Sequence, residues 1–238
     1  MNIEQQMAQL RLSGMKNLYQ NLTETRQTQN LTFTDGLQML LTAEQQERQH
    51  RRTERLTRNA RFRYQASLSE ITCSAARNLD QNMIASLTDC SFIDKGQSII
   101  ITGATGCGKS FLASALGQQA CNLGYKTGYS SLSKLFNKIK ISRMDGSILK
   151  TFDGLAKHDL LILDDFGMSG IDQQQAIDLM EIIEDRHARK ATVIASQLPV
   201  SAWYDIIPDS TIADAILDRL VHTAIRIELK GDSLRKIK

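Results

Sequence analysis

SIIITGATGCGKSFLASALGQQA, Ser98 to Ala120, decides the reading of this chain. Its centre, Gly103 to Ser110, satisfies G-x-x-x-x-G-K-[ST], a spacing that arises by chance in on the order of one in a hundred chains of this length. A strand of buried type precedes it and a helix follows, which is the setting in which a glycine-rich loop wraps phosphate. Glycines let successive backbone N–H groups turn inward, and the start of the helix adds the positive end of its dipole. Lys109 then reaches the β- and γ-phosphates as a point charge, and the Ser110 hydroxyl is placed to ligate Mg²⁺. The residues expected to hold the nucleotide phosphates are Gly103, Ala104, Thr105, Gly106, Cys107, Gly108, Lys109, Ser110 and Phe111, with Cys107 at a variable position of the motif.

Outward from the loop, Tyr125–Ser130, Leu160–Leu163 and Thr192–Ala195 read as further short strands, and Lys109–Leu123, Leu132–Ile141 and Gln173–His187 as helices. Short apolar strands alternating with helices predict an α/β fold with a parallel sheet flanked by helices. The run HDLLILDDFG, His158 to Gly167, ends in two carboxylates, which such a sheet delivers to its carboxyl edge, where ligands bind. Asp164 is expected to hold Mg²⁺ directly or through water, and Asp165 to orient the attacking water. By itself the run is equally an exit from strand to loop. TVIASQLP, Thr192 to Pro199, ends in Ser196 and Gln197. A strand beside that of Asp164 brings Gln197, in preference to Ser196, next to the γ-phosphate, unless it is only a strand before a proline turn.

The chain has 238 residues, 42% hydrophobic and 23% charged, with 2 prolines. That composition excludes collagen-like, low-complexity and strongly disordered classes. The 4 cysteines (Cys73, Cys90, Cys107 and Cys121) are too few for a disulfide scaffold and show no C-x-x-C spacing, so a reducing compartment is expected. MNIEQQMAQLRLSG has no apolar signal segment and no stretch approaches a membrane span, so the expected location is cytoplasmic, away from any membrane. The net charge of +3 is uneven: residues 1–70 hold 10 basic and 7 acidic side chains, residues 71–238 hold 19 of each. Asymmetry of this kind points to an acidic partner of the N-terminal segment.

From Ile3 to Tyr64 good helix formers predict two or three helices, broken around Asn30 to Asp35, with Thr34 or Asp35 as cap. The expected organisation is a helical N-terminal DNA- or partner-binding domain at 1–66, a connecting segment with one short helix at 67–97, and the nucleotide domain at 98–238. Within Arg48 to Arg63 stand seven arginines and one acid, Glu54. At ~100° per residue Arg48, Arg51, Arg52, Arg55 and Arg58 fall within roughly 120° of one helix face. Arginine's planar fork suits phosphate, so this stripe is a candidate for binding the DNA backbone; the alternatives are a solvated face or a surface for an acidic protein. Lys134, Lys138, Lys140 and Arg143 form a second candidate. Tyr125, Tyr129, Phe136, Trp203 and Tyr204 show no spacing suited to base stacking and are read as core.

GATGCGKS, LLILDDFG, ASQLPVSAWYD, ADAILDRLVHTA and IELKGDSLR, in this order, resemble the IstB-type transposition helper ATPases of the AAA+ superfamily, relatives of the DnaC-type helicase loaders. The opening LRLSGMKNLYQNL is similar too, so the resemblance spans nearly the whole chain. It implies an AAA+ P-loop domain behind a small helical domain, with Lys109 and Ser110 for ATP and Mg²⁺ and Asp164 and Asp165 as the Walker B pair. It implies Arg219 as an arginine finger completing a neighbouring subunit's site, as against a helix-surface residue paired with Asp214 or Asp218, and a sensor-like part for Arg235. In AAA+ oligomers the region of Lys134 to Arg143 often faces a central channel. Two positions depart from the common pattern: Asp165 stands where Glu is usual and Gln197 where Asn is, which implies slow hydrolysis accelerated by DNA or assembly. The implied activity is ATP-dependent regulation of transposition: a homo-oligomer on double-stranded target DNA that recruits or activates its transposase. The alternative is a DnaC-like loader of a replicative helicase; a metabolic P-loop kinase lacks a second-substrate motif.

Overall fold

Among the described residues five strands form one all-parallel sheet: β1 (Ile99–Gly103), β2 (Thr127–Ser131), β3 (Leu160–Phe166), β4 (Ala191–Ser196) and β5 (Ile225–Leu229), in the spatial order β2-β3-β4-β1-β5. The computed structural model describes residues 2–27 and 31–234. The helices are α1 (Ile3–Gln9), α2 (Ser13–Glu24), α3 (Phe33–Ala60), α4 (Gln81–Leu87), α5 (Ser91–Asp94), α6 (Lys109–Asn122), α7 (Leu132–Met144), α8 (Ile148–Ala156), α9 (Gln173–Arg186) and α10 (Ser210–Val221). Among the described residues no helix is long and apolar enough to cross a membrane.

The sheet is buried on both faces because its side chains alternate between two apolar layers. Ile99, Ile101, Leu160, Ile162 and Val193 pack with Leu112 and Leu116 of α6 and with Ile84, Phe92 and Ile93. Ile100, Leu161, Leu163 and Ile194 meet Leu135 and Ile139 of α7, Leu179 of α9 and Ile216 of α10. Residues 67–97, expected to carry one short helix, carry α4 and α5 and two 3-10 turns, Leu68–Glu70 and Ala75–Arg77, and Leu79, Leu87 and Cys90 belong to the first of these layers. The sequence reading misses β5, since in IRIEL the charged Arg226 and Glu228 alternate with apolar residues; the strand lies at the sheet edge, where only one side is covered. Arg186 is 1% exposed and knits the amino edge together: its guanidinium donates to the carbonyls of Leu155 and His158 (3.0 and 2.9 Å) and to Thr192 Oγ1 (3.1 Å). Burial pushes its pKa down to about 10, so it stays charged at neutral pH.

The chain divides into two compact units, Met1–Arg55 and Leu56–Lys238, with α3 contributing to both. In the first unit Thr32, ahead of the expected Thr34 or Asp35 by two and three residues, caps α3: its hydroxyl accepts the Asp35 N–H at 3.2 Å and donates to the Asp35 carboxylate at 2.6 Å. The crossing of α2 over α3 is fixed by Gly14, where a Cβ would run into the backbone of Ala43 and Glu44. Glu44 in turn accepts the Gly14 and Met15 N–H groups (2.8 and 3.3 Å) at the start of α2, where the unpaired N–H groups favour a carboxylate.

Burial alone would raise the Glu44 pKa, but its bonds from Arg48, Met15 and Gly14 hold it below the usual 4.5. A carboxylate with a lowered folded pKa stabilises the fold above its unfolded pKa and loses that contribution as pH falls through the folded value. Glu44→Gln is therefore expected to lower the urea midpoint at pH 7, with the gap to wild type closing as pH drops well below 4.5. A gap of the same size at pH 7 and pH 3 would show that the charge is irrelevant there.

Candidate nucleotide site

The loop between β1 and α6 takes its shape from three glycines in the left-handed or extended positive-φ region, Gly103 (φ 146°), Gly106 (86°) and Gly108 (96°), the last capping α6. Gly103 has a second reason to be glycine, as a Cβ would strike the Leu229 carbonyl and the Cys107 sulfur. Lys109 is 7% exposed and its ammonium donates to the Ala104 carbonyl at 2.8 Å, across the mouth of the loop. Cys107 is buried, and its carbonyl accepts from Arg77 Nη2 at 2.9 Å, while Arg77 Nη1 donates to the Thr72 carbonyl at 2.9 Å.

β4 lies between β3 and β1, so the ends of the strands carrying Asp164, Gln197 and the loop converge on one edge. Thr105 Oγ1 donates to Gln197 Oε1 at 2.6 Å, bringing Gln197 onto the loop. Ser196 points the other way: it is fully buried and donates to the Phe166 carbonyl at 2.8 Å. Asp164 is 1% exposed, and its carboxylate receives the Tyr129 hydroxyl, the Asp165 N–H (2.9 Å) and Arg63 Nη1 (3.4 Å). Burial, then the bond to Asp164, pushes the Tyr129 pKa up, so the phenol remains a donor. Asp165 sits where the β3–β4 register shifts, with φ of 59°, and shares Arg63 Nη1 at 3.0 Å. Asp adopts this left-handed conformation more readily than most residues, a physical reason for Asp where Glu is usual.

A cavity of about 530 Å³ opens beside the loop, lined by Tyr64, Ile71, Arg77, Gly106, Phe111 and Leu229 among others. Tyr64 stacks obliquely on Phe111 with centroids 6.1 Å apart. Ser233 and Leu234 reach the same place: the Leu234 N–H donates to the Gly106 carbonyl at 3.0 Å, and a Cβ on Gly106 would collide with Ser233. The donor set fits a hard divalent cation, with a hydroxyl at Ser110 and two carboxylates already sharing one cationic nitrogen. Glycines that admit no side chain and a helix start fit a polyphosphate.

Of the expected site residues, 103–111, Asp164, Asp165 and Gln197 come together. Arg219 does not join them: on α10 it pairs with Glu184 of α9 and donates to the Ala215 carbonyl at 3.0 Å. It lines a small hollow with Gly96, Ser98 and Thr223, at the amino ends of the strands. Arg235 lies outside the described residues. Arg48, Arg51, Arg52, Arg55 and Arg58 all lie exposed on α3, yet Arg48 and Arg51 are held by Glu44 (2.7 and 3.9 Å), Arg51 also by Glu47 (3.2 Å). On α7 the basic cluster separates: Lys134 and Lys138 line a groove of about 930 Å³ with Arg63 and Asp165, whereas Arg143 is bound to Asp178 at 2.5 Å; Lys140 is exposed. Arg63, Arg77 and Tyr129 escape a reading by motif. Their only trace is local: Arg63 and Tyr64 alternate with aromatic and basic residues just past a helix, and Tyr129 stands two residues before the end of a strand.

The profile of the family described as IstB-like ATP binding protein matches residues 5–238. An insertion sequence ATP-binding protein of Sinorhizobium fredii is 40% identical over 225 residues, 94% of this chain and 92% of the relative. Among solved structures, the replication initiator DnaA bound to AMPPCP and single-stranded DNA superposes with TM-score 0.60 at 20% identity, over 72% of this chain and 52% of that one. The DnaC helicase loader does so with TM-score 0.57 at 17% identity, over 70% of this chain and 98% of that one. These likenesses show the AAA+ P-loop fold.

Arg77 ties the loop to the segment at Thr72 and to the wall of the cavity, without occupying a motif position. Arg77→Ala removes two charge-assisted hydrogen bonds, a loss of about 1 to 2 kcal/mol in loop order. ATP affinity measured by calorimetry is expected to fall about tenfold with the melting temperature little changed; unchanged affinity would make Arg77 a bystander.

Proposed function

The chain belongs to the family of IstB-like ATP binding proteins, encoded with insertion sequences, and on that premise we propose that it is an ATP-hydrolysing, DNA-binding regulator of transposition. In this reading it assembles on double-stranded target DNA as a homo-oligomer, recruits or activates its transposase, and uses hydrolysis as the switch. The observation that carries the reading is the convergence of the phosphate loop, Asp164, Asp165 and Gln197 on one sheet edge, while Arg219 stands at the other end of the strands.

Each residue then has a task set by its place. The loop N–H groups and Lys109 hold the phosphates, and Lys109 exchanges the Ala104 carbonyl for phosphate oxygen. Ser110 and Asp164 would hold Mg²⁺, whose charge offsets that developing on the β- and γ-phosphates. Asp165 orients the attacking water. Gln197, linked to Thr105, senses the γ-phosphate and passes its loss to the loop. Arg219 cannot serve its own loop from the opposite edge, but it can serve a neighbour's. Glu184, its present partner, is 55% exposed, and so open an ion pair is readily exchanged for another. The short Asp165, held by Arg63, fits slow turnover that rises on assembly.

Lys134 and Lys138, facing the groove beside Asp165, and the arginines of α3 are the proposed DNA contacts. Reversing the charge of Lys134 and Lys138 is expected to weaken duplex binding and flatten its dependence on salt, since each phosphate contact contributes to that slope. The decisive experiment mixes Lys109→Ala with Arg219→Ala. Each alone is expected to be inactive, and the mixture to regain part of the ATPase activity on duplex DNA, because one variant supplies the intact loop and the other the intact finger. No recovery on mixing sinks the shared site, and a preference for a replicative helicase over duplex DNA would replace the transposition reading with helicase loading.

A further inference from the structure

One nitrogen holds both acids of the site. Arg63 Nη1 lies 3.0 Å from Asp165 Oδ2 and 3.4 Å from Asp164 Oδ2, the position a cation takes between two carboxylates. Asp164 is 1% exposed, so its charge must be met from within the fold. The guanidinium, in contrast, is on a side chain 40% exposed, with water at hand if it lets go. We propose that Arg63 is a cation latch: Mg²⁺ of the nucleotide complex, held at Asp164 and beside Asp165, competes with it for the charge of the two acids, so that loading the site unfastens the segment that ends α3.

The neighbours of Arg63 make this more than a local exchange. α3 ends at Ala60, and Arg61 turns the chain in the left-handed region (φ 57°). Phe62 then packs edge-on against Tyr129, with centroids 6.3 Å apart, and covers Gly117 of α6 so closely that no Cβ fits there. Tyr64 lies on Phe111, the residue after Ser110, and the Arg63 guanidinium carbon sits 5.8 Å from the Tyr64 ring centre. Three consecutive side chains therefore touch, in turn, the tyrosine that supports Asp164, the two acids, and the helix that carries the phosphate loop. Phe62 and Tyr64 are held by shape, whereas Arg63 is held by charge, and a divalent cation at Asp164, next to Asp165, meets the same charge and removes the reason for its position. The two states differ in whether the end of α3 is pinned at the centre of this triplet. The acids gain the stronger ion and α3 gains freedom in the same event, which couples nucleotide loading to the helix that bears the arginine stripe.

This inference rests on the nucleotide reading above, and its test separates the two. The full chain is titrated with Mg²⁺ in the presence of a fluorescent non-hydrolysable ATP analogue, wild type beside Arg63→Gln. Binding by the wild type at saturating Mg²⁺ is the expected result of the nucleotide reading, and its absence would overturn that reading and the latch together. Given binding, the latch predicts that Arg63→Gln reaches half-saturation at about three- to tenfold less free Mg²⁺, the range between an exposed ion pair and a charge-assisted hydrogen bond. An unchanged or higher requirement overturns it. A second measurement needs no variant: backbone hydrogen exchange at residues 61–66 of the wild type is expected to quicken with Mg²⁺ and analogue together but not with analogue and EDTA. Exchange that slows or stays the same on loading also overturns the latch.

Discussion

A carboxylate that is 1% exposed must be met by donors or give up its charge, and Asp164 is met by a phenol, a backbone N–H and a guanidinium. The rest of the edge follows from keeping that charge in place. Tyr129 reaches it because β2 pairs in register with β3, Ser131 opposite Asp164. The Asp165 N–H reaches it because the chain turns left-handed at the register shift, which also swings the Asp165 carboxylate to the cationic nitrogen that Asp164 shares. The strands supply what makes this possible: apolar side chains on both faces hold them rigid up to the residue where the polar groups begin.

The nucleotide edge was legible because its chemistry is local. Four residues, Gly103, Gly108, Lys109 and Ser110, mark a phosphate loop, and an apolar strand that ends in Asp-Asp carries its acids wherever the sheet ends. Gln197 was legible for the same reason, and the geometry adds why it and not Ser196 faces the loop: adjacent strand residues point to opposite sides, and Ser196 is drawn inward to the Phe166 carbonyl. Arg63, Arg77 and Tyr129 were not legible, since each acts across a separation of thirty residues or more, as the bonds Arg63 to Asp165 and Arg77 to Cys107 show. Tyr129 illustrates the difficulty: its ring packs as a core residue should, and only the position of its hydroxyl against Asp164 on the neighbouring strand β3 gives it a second task. β5 was missed for a different reason. An edge strand half in water alternates charge with apolar residues, and a search for continuous apolar runs passes over it.

The arginine stripe shows where counting charges misleads. Spacing of three and four residues is what places Arg48, Arg51, Arg55 and Arg58 on one face, and the same spacing sets Glu44 against Arg48 and Glu47 against Arg51. Periodicity cannot tell an arginine offered to a partner from one that holds a neighbouring acid. Here the distinction is drawn by Glu44, whose first duty is to the N–H groups that open α2 and which takes Arg48 as a further partner in doing so. Arg63 is likewise engaged with two acids. Arg48, Arg51 and Arg63 are thus met by carboxylates of the chain itself. A phosphate backbone approaching α3 would have to displace those pairs, whereas at Lys134 and Lys138 it would meet a groove already open beside the nucleotide acids. An anion drawn into that groove would add negative charge next to Asp165 and strengthen the demand for a cation there. DNA binding and Mg²⁺ loading would then favour each other, a coupling that a scattered basic surface on α3 alone could not provide.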